Sequence, residues 1–409
     1  MFTWHRLASI GTSRRDFFIV FTLLFNAFTW FYMIMIMGGG ILDSAATMQL
    51  IFYIATIGSG IAGSMFSERI RRLDILYVWM GLGTISSFLL TSFWIMAIPY
   101  VSVVYVLLGI SFGIGMPSSL AFLADYTRVE NRGRISSLIF FAVNLGALPL
   151  AILFTEFNLI TNSIILTVWR GLGLLVFILL KPQEKKTVET DLKVSFSSIL
   201  NNRSMILYLL PWIMFSLIDS LEKALLGDFV GPNFLHTILT VEPVIASLFI
   251  LIGGFLADRI GRKRVVTSGF VLLGIAYASV GLAPTMQLAW YFYIAMDGIA
   301  TGALWIIFLL IIWGDLSESG VREKYYAIGC VPYLARNIIS VMLVPFFAKV
   351  QASAAFSLAS FFLFLAVLPL MYAPETLPQR KIELRQLKGY IEQAKKAREK
   401  HTGKSVIEG

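Results

Sequence analysis

Long apolar runs separated by short polar turns dominate this sequence. A helix needs about 20 consecutive apolar residues to cross a bilayer, and in lipid such runs are restricted to structures that bond every backbone N–H and C=O internally. The pattern predicts twelve membrane-spanning helices, at about residues 16–38, 46–66, 74–95, 98–124, 134–155, 160–180, 204–226, 236–258, 265–283, 287–314, 325–348 and 352–373.

The composition agrees with this interpretation. Hydrophobic residues make up 57% of the 409 residues and charged residues only 14%, which is too little polar surface for a soluble domain of this length. Twelve spans use most of the apolar residues, so we expect no additional folded soluble domain. The predicted fold class is an all-α, multi-pass membrane protein.

The net charge of +9 could suggest a nucleic-acid partner, but the positions of the basic residues argue against one. Loops after even-numbered spans are basic, and loops after odd-numbered spans are nearly free of Lys and Arg. Only four of the 33 Lys and Arg fall inside spans or on the opposite side: Arg170, Lys223, Arg336 and Lys349. Cytoplasmic loops carry such an excess of positive charge, so we expect both termini to lie in the cytoplasm. We expect the protein to be located in the plasma membrane.

The turn from Gly254 to Arg264, G-F-L-A-D-R-I-G-R-K-R, packs five charges between two apolar runs. A degenerate copy of it lies in the first half of the chain, and further like residues recur in the same register. The pairs that share one constant separation are Gly63 and Gly253, Glu68 and Asp258, Arg69 and Arg259, Arg72 and Arg262, Asp125 and Asp315, and Arg132 and Arg322. A constant separation indicates internal duplication of a half-length unit, which is common in transporters.

The spacing G-x-x-x-D-R-x-G-R-K resembles the loop signature of the major facilitator superfamily, which joins helices 2 and 3 and recurs between helices 8 and 9. The resemblance implies two six-helix bundles related by an internal repeat. Combined with the spans, it predicts an N-terminal bundle at 1–180, a cytoplasmic linker at 181–203, a C-terminal bundle at 204–373 and a basic cytoplasmic tail at 374–409. The tail is predicted to form an amphipathic helix or a plain solvated segment. At its start, Ala373-Pro374-Glu375-Thr376 is faintly similar to the P-E-T stop of sugar porters.

In this family the acid of the signature lies near the N-terminus of a helix from the opposite bundle, where partial positive charge favours an anion, and the contact closes the cytoplasmic side. The resemblance therefore implies a cytoplasmic gate made of Gly254, Asp258, Arg259, Gly261, Arg262, Glu68, Arg69 and Arg72, and the repeat adds Asp125, Arg132, Asp315 and Arg322. Asp125 and Asp315 are each expected to pair with the arginine that opens the next helix, Arg132 or Arg322. The alternative is that these charges only set the membrane topology.

Charges inside predicted spans are costly unless they are paired or wet, and they often mark transport pathways. Asp219 is the first candidate for a proton-coupling carboxylate and Glu222 the second, since a desolvated carboxylate with alternating solvent access can carry a proton. Asp219 and Lys223 are spaced i, i+4 and could neutralise each other. A fixed ion pair of Asp219 with Lys223 or Arg336 is the alternative to a proton-coupling role.

Helices 1, 4, 7 and 10 line the central path in this family, with helices 2, 5, 8 and 11 beside them. The resemblance implies substrate-cavity candidates at Asn26, Trp30, Asn144, Glu242, Asp297, Trp305, Arg336 and Asn337. Arg336 is the candidate for an anionic substrate group, or else a structural partner of Asp219. Arg170 falls on helix 6, which the family places toward lipid.

We therefore expect a monomeric secondary transporter that moves a small-molecule substrate by alternating access, with proton-coupled metabolite symport as the leading hypothesis. The alternatives are a multidrug or metabolite efflux antiporter, an uncoupled facilitator, or a membrane sensor that kept the fold and lost transport. An enzyme is disfavoured because the sequence shows no His-rich metal cluster, Gly-rich phosphate cradle followed by Lys, or G-x-S-x-G elbow. No cofactor or bound metal is predicted.

Overall fold

A computed structural model describes residues 13–39, 45–95, 98–184, 194–230, 232–347 and 350–378. This part of the chain consists of helices and connecting turns and contains no strand. The predicted tail beyond residue 378 and residues 185–193 of the predicted linker lie outside the described residues.

The long helices follow one another in chain order with short connections. Those of the first half are α1 (Arg14–Gly39), α2 (Ala45–Phe66), α3 (Arg72–Leu89, extended by the 3₁₀ segment Leu90–Ile95), α4 (Ile98–Gly113 and Met116–Tyr126), α5 (Arg132–Glu156) and α6 (Leu159–Leu179). Those of the second half are α7 (Arg203–Phe229), α8 (Pro232–Ile260), α9 (Arg262–Leu282), α10 (Gln287–Leu316), α11 (Arg322–Phe347) and α12 (Ala352–Leu365 and Val367–Tyr372). A short helix, Phe196–Leu200, precedes α7.

Eleven helices in the described part of the chain are long and apolar enough to cross a membrane. Helix α11 is not among them, although its 26 residues are sufficient for a span. It carries Arg322, Glu323 and Lys324 at its start and Arg336 in its interior. The prediction of an all-α, multi-pass membrane protein is confirmed, and the span with weaker apolar character carries charge both at its start and in its interior.

The contacts between helices repeat with an offset of six helices. In the first half α1 packs on α5, α2 on α4 and α3 on α6; in the second half α7 packs on α11, α8 on α10 and α9 on α12. The two groups meet where α5 contacts α8 and α2 contacts α11, and these two interfaces are themselves related by the same offset. The fold therefore consists of two six-helix bundles built on one repeated plan.

The repeat extends to an irregularity in the helices that face the partner bundle. Helix α4 is interrupted before Met116, and α10 passes through a π-helical segment at Ile307–Ile311, which begins at the repeat equivalent of Pro117. The interruption in α4 holds Gly115, where a Cβ atom would lie 2.1 Å from Cγ of Trp79. Such irregular turns bend helices and are frequent at functional sites.

Candidate functional site

Asp258 joins the two bundles through backbone hydrogen bonds. Its carboxylate accepts from the N–H of Gly133 at 3.0 Å and from the N–H of Arg134 at 2.8 Å, in the first turn of α5. These N–H groups have no partner within the helix, and the helix dipole favours an anion there. Arg262 bonds the same carboxylate at 2.9 Å, and Asp258 is fully buried. The structure thus places this acid where the family resemblance implied.

Two glycines explain why α5 and α8 can approach so closely. A Cβ atom on Gly133 would lie 2.4 Å from the carbonyl oxygen of Gly254, and a Cβ on Gly254 would lie 2.3 Å from Cβ of Ser137. Both distances are far below van der Waals contact, so a larger residue at either position would force the helices apart. The glycine at the start of the signature is therefore required by packing of one bundle on the other.

The second signature glycine, Gly261, has a φ of 109°, in the region that favours glycine. A side chain there would also collide with Glu375, because a Cβ would lie 2.3 Å from the carboxylate. Glu375 caps α9 by accepting from the N–H of Arg262 at 2.9 Å and the N–H of Lys263 at 3.2 Å. The segment with only faint similarity to the P-E-T stop therefore holds the start of α9.

The expected pairing of Asp125 with Arg132, and of Asp315 with Arg322, is wrong. Asp125 instead forms an ion pair with Arg322, and Asp315 with Arg132, so each arginine reaches the acid of the opposite bundle. The physical reason is the packing of α11 on α4 and of α5 on α10, which turns the first residue of each helix toward the interface.

Each of these two acids also pairs with an arginine of its own bundle. Arg72 pairs with Asp125, and its repeat equivalent Arg262 bonds Asp315 at 3.0 Å. Seven residues in two groups, here together called the charge network, form these ion pairs: Arg72, Asp125 and Arg322 in one group, and Arg132, Asp258, Arg262 and Asp315 in the other. The network ties the two bundles together at the basic end of the molecule.

The first copy of the signature makes a different contact. Glu68 pairs with the side chain of Lys324 near the start of α11, and its own side chain is 34% exposed. Arg69 and Arg259, both predicted as gate residues, lie exposed at the surface. Within the described residues they take no part in the buried charge network.

The second charged group lies where α7, α10 and α11 meet. Asp219 of α7 forms an ion pair with Arg336 of α11, and their side chains are 16% and 12% exposed. The guanidinium carbon lies 4.4 Å from the ring centroid of Tyr333 and 5.0 Å from that of Trp305, which is cation–π geometry. The expected neutralisation of Asp219 by Lys223 is not supported: the acid pairs with Arg336, and the Lys223 side chain lies outside the described residues.

Tyrosines of the first bundle face the same guanidinium. Tyr32 of α1 hydrogen-bonds Tyr333, and Tyr32 and Tyr53 are near enough to Arg336 to interact with its charge. We call Asp219, Arg336, Trp305, Tyr333 and Tyr32 the central site. It is contributed by both bundles.

A small cavity of about 20 Å³ adjoins the central site. Its walls are mainly aromatic and aliphatic: Phe28, Phe31, Tyr32, Phe112, Met116, Leu120, Phe140, Leu309, Cys330, Tyr333 and Leu334. This volume holds at most a water molecule, so a solute could enter only if the bundles moved apart.

Three further carboxylates form the acidic trio: Glu222, Glu242 and Asp297. One oxygen of each lies within 4.8 Å of the others. Glu222 is buried and accepts hydrogen bonds from Tyr277 at 2.7 Å and from Tyr293. Asp297 is in hydrogen-bond contact with Glu242.

The acidic trio lies next to Asp219, whose charge acts on both Glu222 and Asp297. Three carboxylates at this spacing could offer ligand atoms to a cation, but no other His, Cys, Asp or Glu in the described chain joins them. Glu242 and Asp297, which were predicted as cavity residues, thus lie beside the central site.

Asn26 and Trp30, both predicted as cavity residues, lie instead inside the first bundle. The amide of Asn26 donates to the carbonyl of Trp169 at 2.7 Å and accepts from Arg170 at 2.9 Å. The indole N–H of Trp30 donates to Ser87 at 2.7 Å, and Trp30 is fully buried. The periodicity of α1 alone does not distinguish a cavity face from a bundle-core face, which explains this error.

Arg170 is not directed to lipid, as its helix suggested, but is completely buried. Its guanidinium carbon lies 4.4 Å from the ring centroid of Trp79 and 5.0 Å from that of Trp30. Its Nε and Nη2 atoms have no hydrogen-bond partner among the described residues. The side chain is part of the core of the first bundle.

The remaining two candidates bond their own helices. Asn144 donates to the carbonyl of Phe140 at 2.8 Å, and Asn337 donates to the carbonyl of Tyr333 at 3.4 Å. Both are half-buried. Among the described contacts, neither reaches Asp219 or Arg336.

Comparison with protein families agrees with this architecture. The sequence model of the Major Facilitator Superfamily matches residues 194–405, more than half of the chain. The chain belongs to this superfamily. The superfamily is one of membrane transporters, so this protein is a multi-pass membrane transporter and not an enzyme. Comparison with curated proteins finds none that matches.

Solved structures of the superfamily superpose on this chain at low sequence identity. The proton:xylose symporter XylE gives a TM-score of 0.64 at 15% identity, covering 88% of this chain and 96% of that one. The transporter FucP in the outward conformation gives 0.71 at 12% identity, covering 88% and 100%. The human organic anion transporter MFSD10 gives 0.64 at 16% identity, covering 87% and 99%. At these identities the similarity shows the fold alone.

Sequence reasoning missed several residues of both sites. Tyr333, Tyr277 and Tyr293 had no motif, Glu375 stood only within the faint P-E-T similarity, and Lys324 looked like an ordinary loop charge. Tyr333 and Arg336 are spaced i, i+3, so their position on one helix face could have indicated their contact. The tyrosines that bond Glu222 lie on α9 and α10, far away in the chain, and had no such local signal.

Proposed function

We propose that this protein is a proton-coupled symporter that carries a small solute across the plasma membrane by alternating access. The observation that supports the proposal best is the Asp219–Arg336 ion pair, which lies between the bundles and next to the acidic trio. An intramembrane ion pair of this kind is costly to bury and is retained where charge must be handled.

The charge network supports the alternating-access part. It holds the bundles together at the basic end, while the central site is enclosed by side chains of both bundles. Rocking of one bundle against the other would break these ion pairs and open the cavity to that side. We place the basic end in the cytoplasm by the positive-inside rule, with both termini on that side. We also propose that the protein acts as a monomer whose bundles divide at the linker 181–203.

The chemistry of Asp219 supports the proton-coupling part. While Arg336 neutralises it, the carboxylate needs no proton. When a solute draws the guanidinium away, Asp219 is left as a charge in a poorly solvated site beside three other carboxyl groups, and a proton from the open side would neutralise it. Release of the solute and return of Arg336 would expel that proton. The acidic trio would hold further protons nearby.

The proposal can be tested while the solute is still unidentified. A thermal-shift screen of the purified protein against sugars, amino acids, organic acids and organic cations, at acidic and alkaline pH, identifies binders because a ligand of the native state stabilises it. Binders are then tested in proteoliposomes with an imposed pH gradient. Symport predicts accumulation on the alkaline side that disappears when a protonophore collapses the gradient.

The alternatives give different results in the same vesicles. An uncoupled facilitator equilibrates the solute and shows counterflow but no accumulation. An efflux antiporter accumulates it on the acidic side. A sensor that lost transport binds the solute and shows no counterflow at all, and that result would overturn the transport proposal.

A further inference from the structure

We propose that the substrate is an amphipathic monocarboxylate, with one carboxylate that binds Arg336 and an aromatic or branched apolar body that occupies the adjoining apolar cavity once the bundles have moved apart. This inference rests on the proposed function and deepens it by naming a substrate class. Four features of the central site lead to it: spare donors on a guanidinium, an unpartnered indole N–H, an apolar wall, and an acid that can give up its partner.

The guanidinium of Arg336 has donors to spare. It carries five N–H groups in a planar fork that matches a carboxylate in two parallel hydrogen bonds. Among the described residues it donates one hydrogen bond, from Nη1 to Asp219. The flanking rings of Trp305 and Tyr333 hold its plane, at 5.0 and 4.4 Å from the ring centroids. A second carboxylate therefore finds an oriented binding group.

Trp305 supplies a further donor beside that guanidinium. Its indole nitrogen is buried and has no hydrogen-bond partner among the described residues. Leaving a buried donor without a partner is energetically unfavourable, so such groups are usually satisfied when the site is occupied. An anionic oxygen bound to Arg336 is the type of acceptor that this N–H lacks.

The cavity wall indicates the rest of the substrate. Of its described lining residues, only Tyr32 and Tyr333 carry hydroxyl groups, and none carries an amide or a charge. A sugar would bury several hydroxyl groups there without hydrogen-bond partners, which is energetically unfavourable. An aromatic ring or branched alkyl group would instead stack on Phe28, Phe31 and Phe140. The site thus differs in chemistry from what a polyol requires, although the fold resembles that of a xylose symporter.

Charge balance links the substrate to the proton. The incoming carboxylate takes the guanidinium that Asp219 now holds, and Asp219 binds one proton from the side to which the site is open. One negative substrate and one proton then cross together, and both leave on the other side when the ion pair reforms. Transport of this kind is electroneutral, so a pH gradient drives it and a membrane potential does not.

Binding is tested on the purified full-length protein with three carboxylates: phenylacetate, indole-3-acetate and isovalerate. Each is compared with its neutral amide of matched shape, and phenethylamine and fucose serve as the cationic and polyol probes. Calorimetry or quenching of tryptophan fluorescence should detect at least one carboxylate and show at least about tenfold weaker binding of its amide. Binding of fucose or phenethylamine alone, or of no probe in the set, overturns the inference.

Variants locate the binding site. Arg336→Gln should abolish carboxylate binding, and Arg336→Lys should weaken it about tenfold because a point charge replaces a planar fork. Trp305→Phe keeps a ring and removes the N–H, so a loss of about three- to tenfold is expected. The matched controls are Arg264→Gln, at an exposed position, and Trp290→Phe on the same helix, whose N–H already bonds the carbonyl of Pro284 at 2.8 Å. Unchanged binding in Arg336→Gln contradicts the proposal.

Transport separates this inference from the function on which it rests. In proteoliposomes, the carboxylate that binds should accumulate under a pH gradient, and clamping the potential with valinomycin and potassium should leave the rate unchanged. Binding without pH-driven accumulation would preserve the substrate class and refute proton coupling. Proton-driven accumulation of a sugar or cation would preserve proton coupling and refute the substrate class.

Discussion

The two bundles share a plan of helix contacts but place their intramembrane arginines in different environments. Arg170 of the first bundle is completely buried among Asn26, Trp30 and Trp79, with no acid beside it among the described residues. Arg336 of the second bundle has a 12% exposed side chain, pairs with Asp219 and lies between the bundles. The two copies therefore share their helix packing, but the intramembrane Asp219–Arg336 ion pair belongs to the second copy.

The acids of the two charged loops also lie in different environments. Asp258 is fully buried and accepts two backbone N–H groups of α5. Glu68, its counterpart in the first repeat, is about one third exposed and meets the side chain of Lys324. A buried acid on a helix N-terminus contributes more than an exposed ion pair, whose worth is about 0–1 kcal/mol.

The sharpest test of this comparison is Arg336→Gln. We expect a loss of counterflow of at least about 100-fold, since truncating one member of a hydrogen-bonded charge pair costs about 2–5 kcal/mol of binding. The unfolding temperature should change little, because the site borders a cavity. The measurement is counterflow of the solute found in the screen, normalised to folded protein, with Arg264→Gln as control. Counterflow equal to that of the unchanged protein would break the comparison.

Asp219→Asn isolates the acid of the pair. We expect accumulation driven by a pH gradient to disappear while counterflow persists, because the amide cannot bind or release the proton that couples transport. Asp74→Asn is the control, since Asp74 forms an exposed ion pair with Arg71 at 2.8 Å. Accumulation that survives in Asp219→Asn and also in Glu222→Gln would show that the proton-coupling role is assigned to the wrong residues.

Arg170→Ala should give the reverse of the Arg336 result. We expect a loss of unfolding free energy of about 2–4 kcal/mol, because the substitution leaves a void beside Trp30 and Trp79 and removes the donor to the side-chain oxygen of Asn26. Counterflow per folded molecule should remain within about twofold, as is usual for changes away from a site. Denaturant unfolding in detergent and counterflow measure the two effects. Abolished counterflow with intact folding would place Arg170 in the transport path.

Asp258→Asn and Glu68→Gln compare the two loops directly. Cys330, the single cysteine of the chain, lines the small cavity that adjoins the central site, so its reactivity reports the opening of that cavity. Asp258→Asn weakens the contact with α5, so alkylation of Cys330 by N-ethylmaleimide should accelerate about tenfold, equivalent to about 1.4 kcal/mol. Glu68→Gln should accelerate it about twofold or less, because Glu68 is about one third exposed and water screens its ion pair with Lys324. Equal effects of the two substitutions would remove the asymmetry between the loops.

Arg69→Gln and Arg259→Gln should have the smallest effects. Both side chains are exposed, and neither belongs to the charge network. We expect Cys330 alkylation and counterflow to stay within about twofold of the unchanged protein. A larger effect in one variant would assign it a partner that forms only when the basic end opens.

Local pattern was sufficient for a large part of the fold. Length and hydropathy predicted the spans, and the constant separation between like residues of the two halves predicted the repeat seen in the helix contacts. The resemblance also placed Asp258 beside a helix of the other bundle. It could not give the pairing of Asp125 with Arg322 or of Asp315 with Arg132, because the acid and the arginine recur in the same register in both halves and either pairing satisfies that register.

The sequence by itself determined that this chain crosses the membrane repeatedly as two related bundles, because backbone satisfaction in lipid and apolar length leave little choice. Only the tertiary structure decided which buried charges meet: Arg170 lies among indoles inside one bundle, whereas Arg336 bonds Asp219 where the bundles face each other. The reason is physical. Hydropathy depends on residue type and is read along one helix, but the free energy of a buried charge depends on groups from other helices that lie within a few ångströms of it.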